Sequence, residues 1–218
     1  NLKELKDVIS FMEDGRPKFP GIPPSLQYGR GTLGKWGPNH AADPIALMKK
    51  RVWFSERSYV LVVQRKDTHL YALPGGMVDP GESISETAIR EMKEEAVSVD
   101  PTLIEDFFKG QDSIILYQGI NWNDPRNTFC AWMETSVVLF EIPLWLCKKM
   151  CLKNCTDETF KAKWLDISAS DLTQLYSDHA HYVKIAASYK NIRLNGGSAL
   201  IFLDEQISFQ WRFIYTVT

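Results

Sequence analysis

The sequence predicts an α/β fold, and three observations carry that prediction. Runs rich in β-branched residues, such as SYVLVVQR (58–65) and AWMETSVVLF (131–140), read as buried strands. Ser83 and Glu86 form an S-x-x-E capping box ahead of apolar positions at helical spacing. SDHAHYVKIAASYKN (177–191) reads as a second amphipathic helix, capped by Ser177 or Asp178 and ending near Asn191.

Taken in order, residues 15–44 hold most of the prolines and many of the glycines, which excludes long regular elements there and predicts a surface lead-in. The strand at 58–65 is followed by a turn containing Lys66 and Asp67, then by a second strand in HLYALP (69–74). The capping box starts a helix at about Ile84 by satisfying amides that the first turn leaves unpaired. On that helix Ile84, Ala88, Ile89, Met92 and Ala96 share one face, and Glu91, Glu94 and Glu95 gather on the adjoining one. Further strands are expected at SIILYQG (113–119), 131–140 and AKWLDI (162–167), with the polar, turn-forming INWNDPRNTFC between the first two. No internal repeat is present. The tail from 196 opens on Gly-Gly and is hydrophobic, compatible with an added strand pair.

Composition narrows the function classes. The 218 residues suffice for one domain with a full core, and 44% apolar with 24% charged residues is an ordinary globular mix. A net charge of −2, from 25 basic and 27 acidic side chains, gives no broad footprint for nucleic acid or anionic lipid, so an anionic ligand must be captured locally. No apolar run is long enough for a transmembrane helix, and no membrane contact by this chain itself is expected. The opening NLKELKDVISFMEDG lacks the order of a secretory signal, is too acidic for a typical mitochondrial presequence, and lacks an initiator Met, as a processed chain or a piece of a larger one would. Cys147, Cys151 and Cys155 would align on one helix face, but no fourth Cys or His closes a metal site. Free intracellular thiols, with Cys130, are the expectation, and they make the NCT acceptor at 154–156 uninformative.

The acidic cluster is the feature that bears on chemistry. Carboxylates at i, i+3 and i+4 repel by a few tenths of a kcal/mol per pair. Arg90 neutralises only part of that charge, and a divalent cation is a natural remedy. All-oxygen donors favour Mg²⁺ or Mn²⁺ sharing a substrate phosphate. The plain alternative is a solvated helix face.

The surrounding spacing decides between them. Gly76, five residues, Glu82, seven residues, Arg90-Glu91-Met92, one residue, then Glu94-Glu95 resembles the Nudix box, the loop–helix–loop signature of hydrolases of nucleoside diphosphates linked to another group. The resemblance implies an α/β/α sandwich with a mixed sheet. It implies metal ligation by Glu91, Glu94, Glu95 and the Gly75 carbonyl, with Arg90 orienting a glutamate and Glu82 on the helix side of the site. It implies attack of water on phosphorus while Mg²⁺ neutralises developing charge. The proton acceptor is left open among Glu94, Glu95 and a loop acid such as Glu105 or Asp106. Val97 stands where the family pattern ends in glycine, which questions the local turn.

Other segments look like one branch of that family: mitochondrial-type ADP-ribose pyrophosphatases and the C-terminal domain of melastatin-type cation channels. They are GRGTLGKWGPNHAADPI (29–45), LPGGMVDPGE (73–82), NDPRNT (123–128) with AWMET (131–135), and LYSDH (175–179). In a turn, Asp124 can accept from a sugar hydroxyl and Arg126 can fork onto phosphate. By resemblance Asp124, Arg126, Asn127, Tyr176, His179, Gly75 and Gly76 bind substrate, and Trp36, Asn39 and His40 belong to a lead-in motif. Phe129-Cys130 and FEIPLWLCKKMCLKNC depart from the branch, and most of the free enzyme's N-terminal domain is missing.

The expected organisation is therefore a lead-in at 1–45, a Nudix domain at 46–195 and a tail at 196–218. The expected activity is Mg²⁺-dependent hydrolysis of ADP-ribose to AMP and ribose 5-phosphate, in a mitochondrial or cytoplasmic compartment. The competing reading is an ADP-ribose-sensing domain of a channel polypeptide. Vertebrate channel domains of the branch look degenerate in the box, whereas REMKEE keeps every acidic position.

Overall fold

The computed structural model describes residues 9–109, 113–154, 159–168 and 171–194. The chain begins with β1 (Ser10–Phe11), β2 (Pro17–Lys18), β3 (Gly37–Val52), β4 (Ser55–Arg65), β5 (Tyr71–Ala72) and β6 (Gly76–Met77). Helix α1 (Ile84–Glu91) runs into a π-helical turn (Met92–Ala96), followed by β7 (Val97–Ser98), α2 (Pro101–Lys109), β8 (Ile114–Ile120) and β9 (Ala131–Glu141). Then come α3 (Leu144–Cys147), β10 (Cys151–Leu152), β11 (Thr159–Asp166), a 3-10 turn (Leu172–Gln174) and α4 (His179–Tyr189).

The main sheet has the order β11-β4-β3-β9-β8, with β5 on β4 and β6 on β3. It is mixed: β3 and β9 run parallel from Gly37↔Ala131 to Leu47↔Glu141, and the other pairs are antiparallel. Its strands are apolar on both faces, as a two-sided core requires. Leu61, Val63, Val138 and Phe140 point to the layer containing α1 and α2, where Ala88, Met92, Ile104 and Phe108 meet them. Val60, Val62, Val137 and Leu139 point to the opposite layer, against Tyr182, Val183 and Ala186 of α4. Each such fully buried large side chain contributes about 1.5–3 kcal/mol. The result is the expected α/β arrangement with helices on both sides of a mixed sheet.

The capping box forms as expected: Ser83 Oγ accepts from the Glu86 amide at 3.3 Å, and Glu86 Oε2 accepts from the Ser83 amide at 2.8 Å. Val97 is extended, with φ −133° and ψ 145°, and pairs with Leu152. Its negative φ explains why no glycine is needed there.

Three expectations are corrected. The lead-in at 15–44 does hold a long element, because β3 starts at Gly37 and crosses position 45; Pro38 and Pro44 are tolerated inside it. Cys147 ends α3 while Cys151 lies in β10, so these two do not share a helix face, and Cys155 lies outside the described residues. Burial pushes the Cys147 thiol up to about 11, which keeps it protonated and a poor metal ligand. Glu105 and Asp106 sit exposed on α2 rather than in a loop. The tail at 196–218 also lies outside the described residues.

Candidate active site

The site is assembled where the loop joining β5 to β6 passes under α1 and its π-helical turn. A π-helical turn carries its bonds from i to i+5, and here the Val97 amide donates to the Met92 carbonyl. That turn sets Glu94 and Glu95 beyond the α-helical register of Glu91. Met92 and Ala96, both fully buried, anchor it from below. The Gly75 amide donates to Glu95 Oε2 at 3.1 Å and ties the loop to the turn.

Arg90 organises the acidic face. Its Nε and Nη2 donate to the two oxygens of Glu82 at 2.9 and 3.0 Å, and Nη2 also reaches the Met77 carbonyl at 3.1 Å. Its Nη1 donates to Glu91 Oε1 at 2.7 Å and to Glu94 Oε2 at 3.1 Å. The Arg90 guanidinium, helped by Thr87 Oγ1 at 2.8 Å, lowers the Glu82 carboxyl to about 2. One arginine thus offsets the repulsion within the cluster.

Two glycines make room for this. A Cβ on Gly76 would lie 2.2 Å from Glu91 Oε1, and one on Gly75 would lie 2.1 Å from Asp43 Oδ1 and 2.9 Å from the Ala42 carbonyl. Gly75→Ala therefore drives a methyl into a buried carboxylate and an immovable strand backbone. The variant is expected to lose about 1–3 kcal/mol of stability by overpacking, read by denaturant unfolding; an unchanged midpoint would show that the loop relaxes freely.

The donor set suits a hard divalent cation, since Glu91, Glu94 and Glu95 line one wall beside Gly75 and Gly76. Among the described residues no group of three or more His, Cys, Asp or Glu side chains is gathered closely enough to hold a metal ion, and Arg90 Nη1 stands between Glu91 and Glu94.

The same cavity, about 600 Å³ in volume, is also lined by Asp43, Arg65, Asp124, Arg126, Tyr176 and His179. Asp124 is completely buried; its Oδ1 accepts from the Arg126 amide and Nε, both at 2.9 Å, and its Oδ2 accepts from Arg126 Nη2 at 2.7 Å. It serves Arg126, where the sequence suggested an acceptor for a sugar hydroxyl. His179 Nδ1 accepts from the Leu73 amide at 2.8 Å, which leaves the ring proton on Nε2, and burial lowers its pKa. Arg65 stacks on the Tyr176 ring at 4.5 Å while Asp67 holds its fork at 2.9 and 2.6 Å.

Asn127 is not on the cavity wall. Its Nδ2 donates to the Asn121 carbonyl at 2.7 Å and its Oδ1 accepts from the Met133 amide at 2.8 Å, so it braces the loop that presents Arg126. Asn39 is likewise a buried brace, bonded to Lys35 and Gly37, and Trp36 is half exposed with Arg16 and Arg30 each 5.8 Å from its ring. His40 lies 3.7 Å from Glu134. Glu105 and Asp106 line no part of the cavity.

Sequence reasoning missed Asp43 and Arg65. Asp43 is buried, which raises its pKa, and Thr135 Oγ1 donates to it at 2.6 Å. A single acid inside the apolar run AADPIALM was the available signal.

The fold has counterparts among known proteins. A sequence profile described as the NUDIX domain matches residues 49–184. The mitochondrial ADP-ribose pyrophosphatase of Rattus norvegicus is 37% identical over 208 residues, which cover 87% of this chain and 58% of that protein. A transient receptor potential cation channel subfamily M member-like 2 protein of Nematostella vectensis is 32% identical over 83% of this chain and 12% of its own length. Among solved structures, the NUDIX domain of Shewanella oneidensis NrtR, complexed with ADP ribose, superposes with a TM-score of 0.52 at 20% identity, covering 75% of this chain and 94% of that one. At that identity the likeness shows the fold. The chain spans little more than half of the rat relative, at 58%.

Proposed function

The chain belongs to the NUDIX family, and from that premise we propose that it hydrolyses the diphosphate of ADP-ribose, yielding AMP and ribose 5-phosphate with Mg²⁺ or Mn²⁺ as cofactor. The observation that carries the reading is the cavity itself. The carboxylates of the box helix and the guanidinium groups of Arg65 and Arg126 line one and the same cavity. A volume of about 600 Å³ is within the range of sites for nucleotide-sized ligands. The 37% identity to the rat pyrophosphatase supports the choice of substrate.

Glu91, Glu94 and Glu95, with the Gly75 carbonyl, are the residues that would hold the cation. When bound, it supplies charge neutralisation at the phosphoryl oxygens. Arg90 holds Glu91 and Glu94 in place through its Nη1 and fixes the helix to the loop through Glu82. Gly75 and Gly76 let the diphosphate approach the backbone. Arg126, aimed by Asp124, donates to a phosphate oxygen. His179 offers its Nε2 proton, and Tyr176 supplies a ring face and hydroxyl toward the terminal ribose. Water attacks phosphorus, the P–O bond to the leaving phosphate breaks, and Glu94 or Glu95 accepts the proton.

Purified protein with Mg²⁺ is expected to release AMP from ADP-ribose, followed by separation of the nucleotides. The match to the cnidarian channel-like protein favours a second reading, an ADP-ribose-sensing module of a longer polypeptide. Saturable ADP-ribose binding with no AMP would select that reading. We further propose a catalytic domain that takes in β3 from Gly37 and runs to 195, supported by the profile match, with a lead-in before it and a tail at 196–218, in a mitochondrial or cytoplasmic compartment.

A further inference from the structure

The hairpin joining β3 to β4 runs past its neighbours. Pairing of β9 with β3 stops at Leu47, and pairing of β11 with β4 stops at Tyr59. Beyond Ser58, whose carbonyl accepts from the Ile167 amide at 3.0 Å, the ribbon's strands pair with each other down to Val52↔Ser55, and the two residues left over, Trp53 and Phe54, form the turn. Trp53 is 88% exposed and Phe54 fully exposed. No packing among the described residues explains them.

Backbone geometry sharpens the point. Trp53 has φ +55°, a left-handed conformation that disfavours bulky side chains. Two-residue hairpin turns favour Asn-Gly or Asp-Gly, which reach positive φ without strain. Trp53 therefore stands at a strained, solvent-facing position where glycine would avoid the cost.

Charge surrounds them. Lys49, Lys50, Arg51 and Arg57 flank the turn, against Glu56 alone within the ribbon. Lys49 lies 3.6 Å from Glu56, and Arg57 pairs with Asp166 at 2.8 Å. Lys50 and Arg51 are exposed and take part in no ion pair among the described residues. The chain's net charge of −2 gives no general attraction to anions, so this cluster is local.

We propose that the hairpin tip is an anchor for an anionic lipid surface, with Trp53 and Phe54 entering the interfacial layer and Lys50 and Arg51 meeting the headgroups. This revises the expectation of no membrane contact by the chain. Two aromatic side chains present about 400 Å² of surface, well short of the roughly 800 Å² per partner of a stable protein interface, whereas a narrow aromatic tip suits a bilayer interface. Val52 lies nine residue steps along the strand from Asp43, about 30 Å, so the cavity stays open to solvent while the tip is engaged.

Cosedimentation with vesicles tests this, using phosphatidylcholine alone and phosphatidylcholine with about one third phosphatidylserine. The wild-type chain is expected to bind the anionic vesicles and be released by salt. Lys50→Glu with Arg51→Glu should weaken binding about 25-fold, at about fivefold per basic residue. Trp53→Gly with Phe54→Asn should lose binding while keeping or raising the thermal midpoint, because glycine relieves the positive φ at position 53; that midpoint separates loss of anchoring from misfolding. A wild-type chain that ignores anionic vesicles, or tip variants that sediment like wild type, would overturn the proposal. So would a concentration-dependent dimer that the tip variants abolish without any vesicle binding.

Discussion

Glu94→Gln combined with Glu95→Gln is expected to abolish AMP release from ADP-ribose, by about 10²–10⁴-fold or more, while leaving ADP-ribose bound. The reasoning is local. Glu94 is exposed, so losing its charge costs the fold little beyond one ion pair to Arg90 at 3.1 Å. Glu95 accepts from the Gly75 amide at 3.1 Å, and glutamine keeps an oxygen for that bond, so the loop stays attached to the turn. What disappears is charge: a hard cation loses two carboxylate donors, and no proton acceptor remains on the π-helical turn. Isothermal titration with ADP-ribose, beside AMP release with Mg²⁺, separates the two effects. Turnover within tenfold of wild type would remove these carboxylates from catalysis. Loss of binding in step with turnover would make them binding residues instead.

The strands and the box helix were legible because their signals are local. The β-branched run at 58–65 lies within β4, and Ser83 with Glu86 marks the first turn of α1 to the residue. Helix α2 was missed: PTLIEDFFK is short, and its start has no box like the one at Ser83. The start of β3 was hidden because Gly37, Pro38 and Pro44 are breakers by propensity, and only the parallel pairing with β9 carries a strand through them. The π-helical turn was invisible for a different reason. Spacing at i, i+3 and i+4 is the same in sequence whether the carboxylates lie on an α-helix or straddle its end, so the insertion of Arg90 between Glu91 and Glu94 could not be foreseen. Asp43 and Arg65 reach the cavity from strands adjacent in the sheet, a closeness that sequence separation conceals.

Arg126→Ala is expected to do two separable things. Asp124 is fully buried, and both its oxygens are occupied by Arg126. Removing the guanidinium strands a buried carboxylate, for which costs run to about 3–5 kcal/mol; because the Arg126 side chain is 40% exposed and the cavity admits water, the low end, about 3 kcal/mol, applies. In a domain of this size that lowers the thermal midpoint by about 6–12 °C. Separately, losing charge-assisted bonds to phosphate should weaken ADP-ribose binding by about 1.5–3 kcal/mol. Adding Asp124→Asn removes the stranded charge and should recover a large part of the stability, while binding stays weak because nothing replaces the fork. If Arg126→Ala binds with unchanged affinity, Arg126 belongs to the scaffold alone. If the double variant regains binding as well as stability, the affinity loss came from the disturbed loop, and phosphate recognition falls to Arg65.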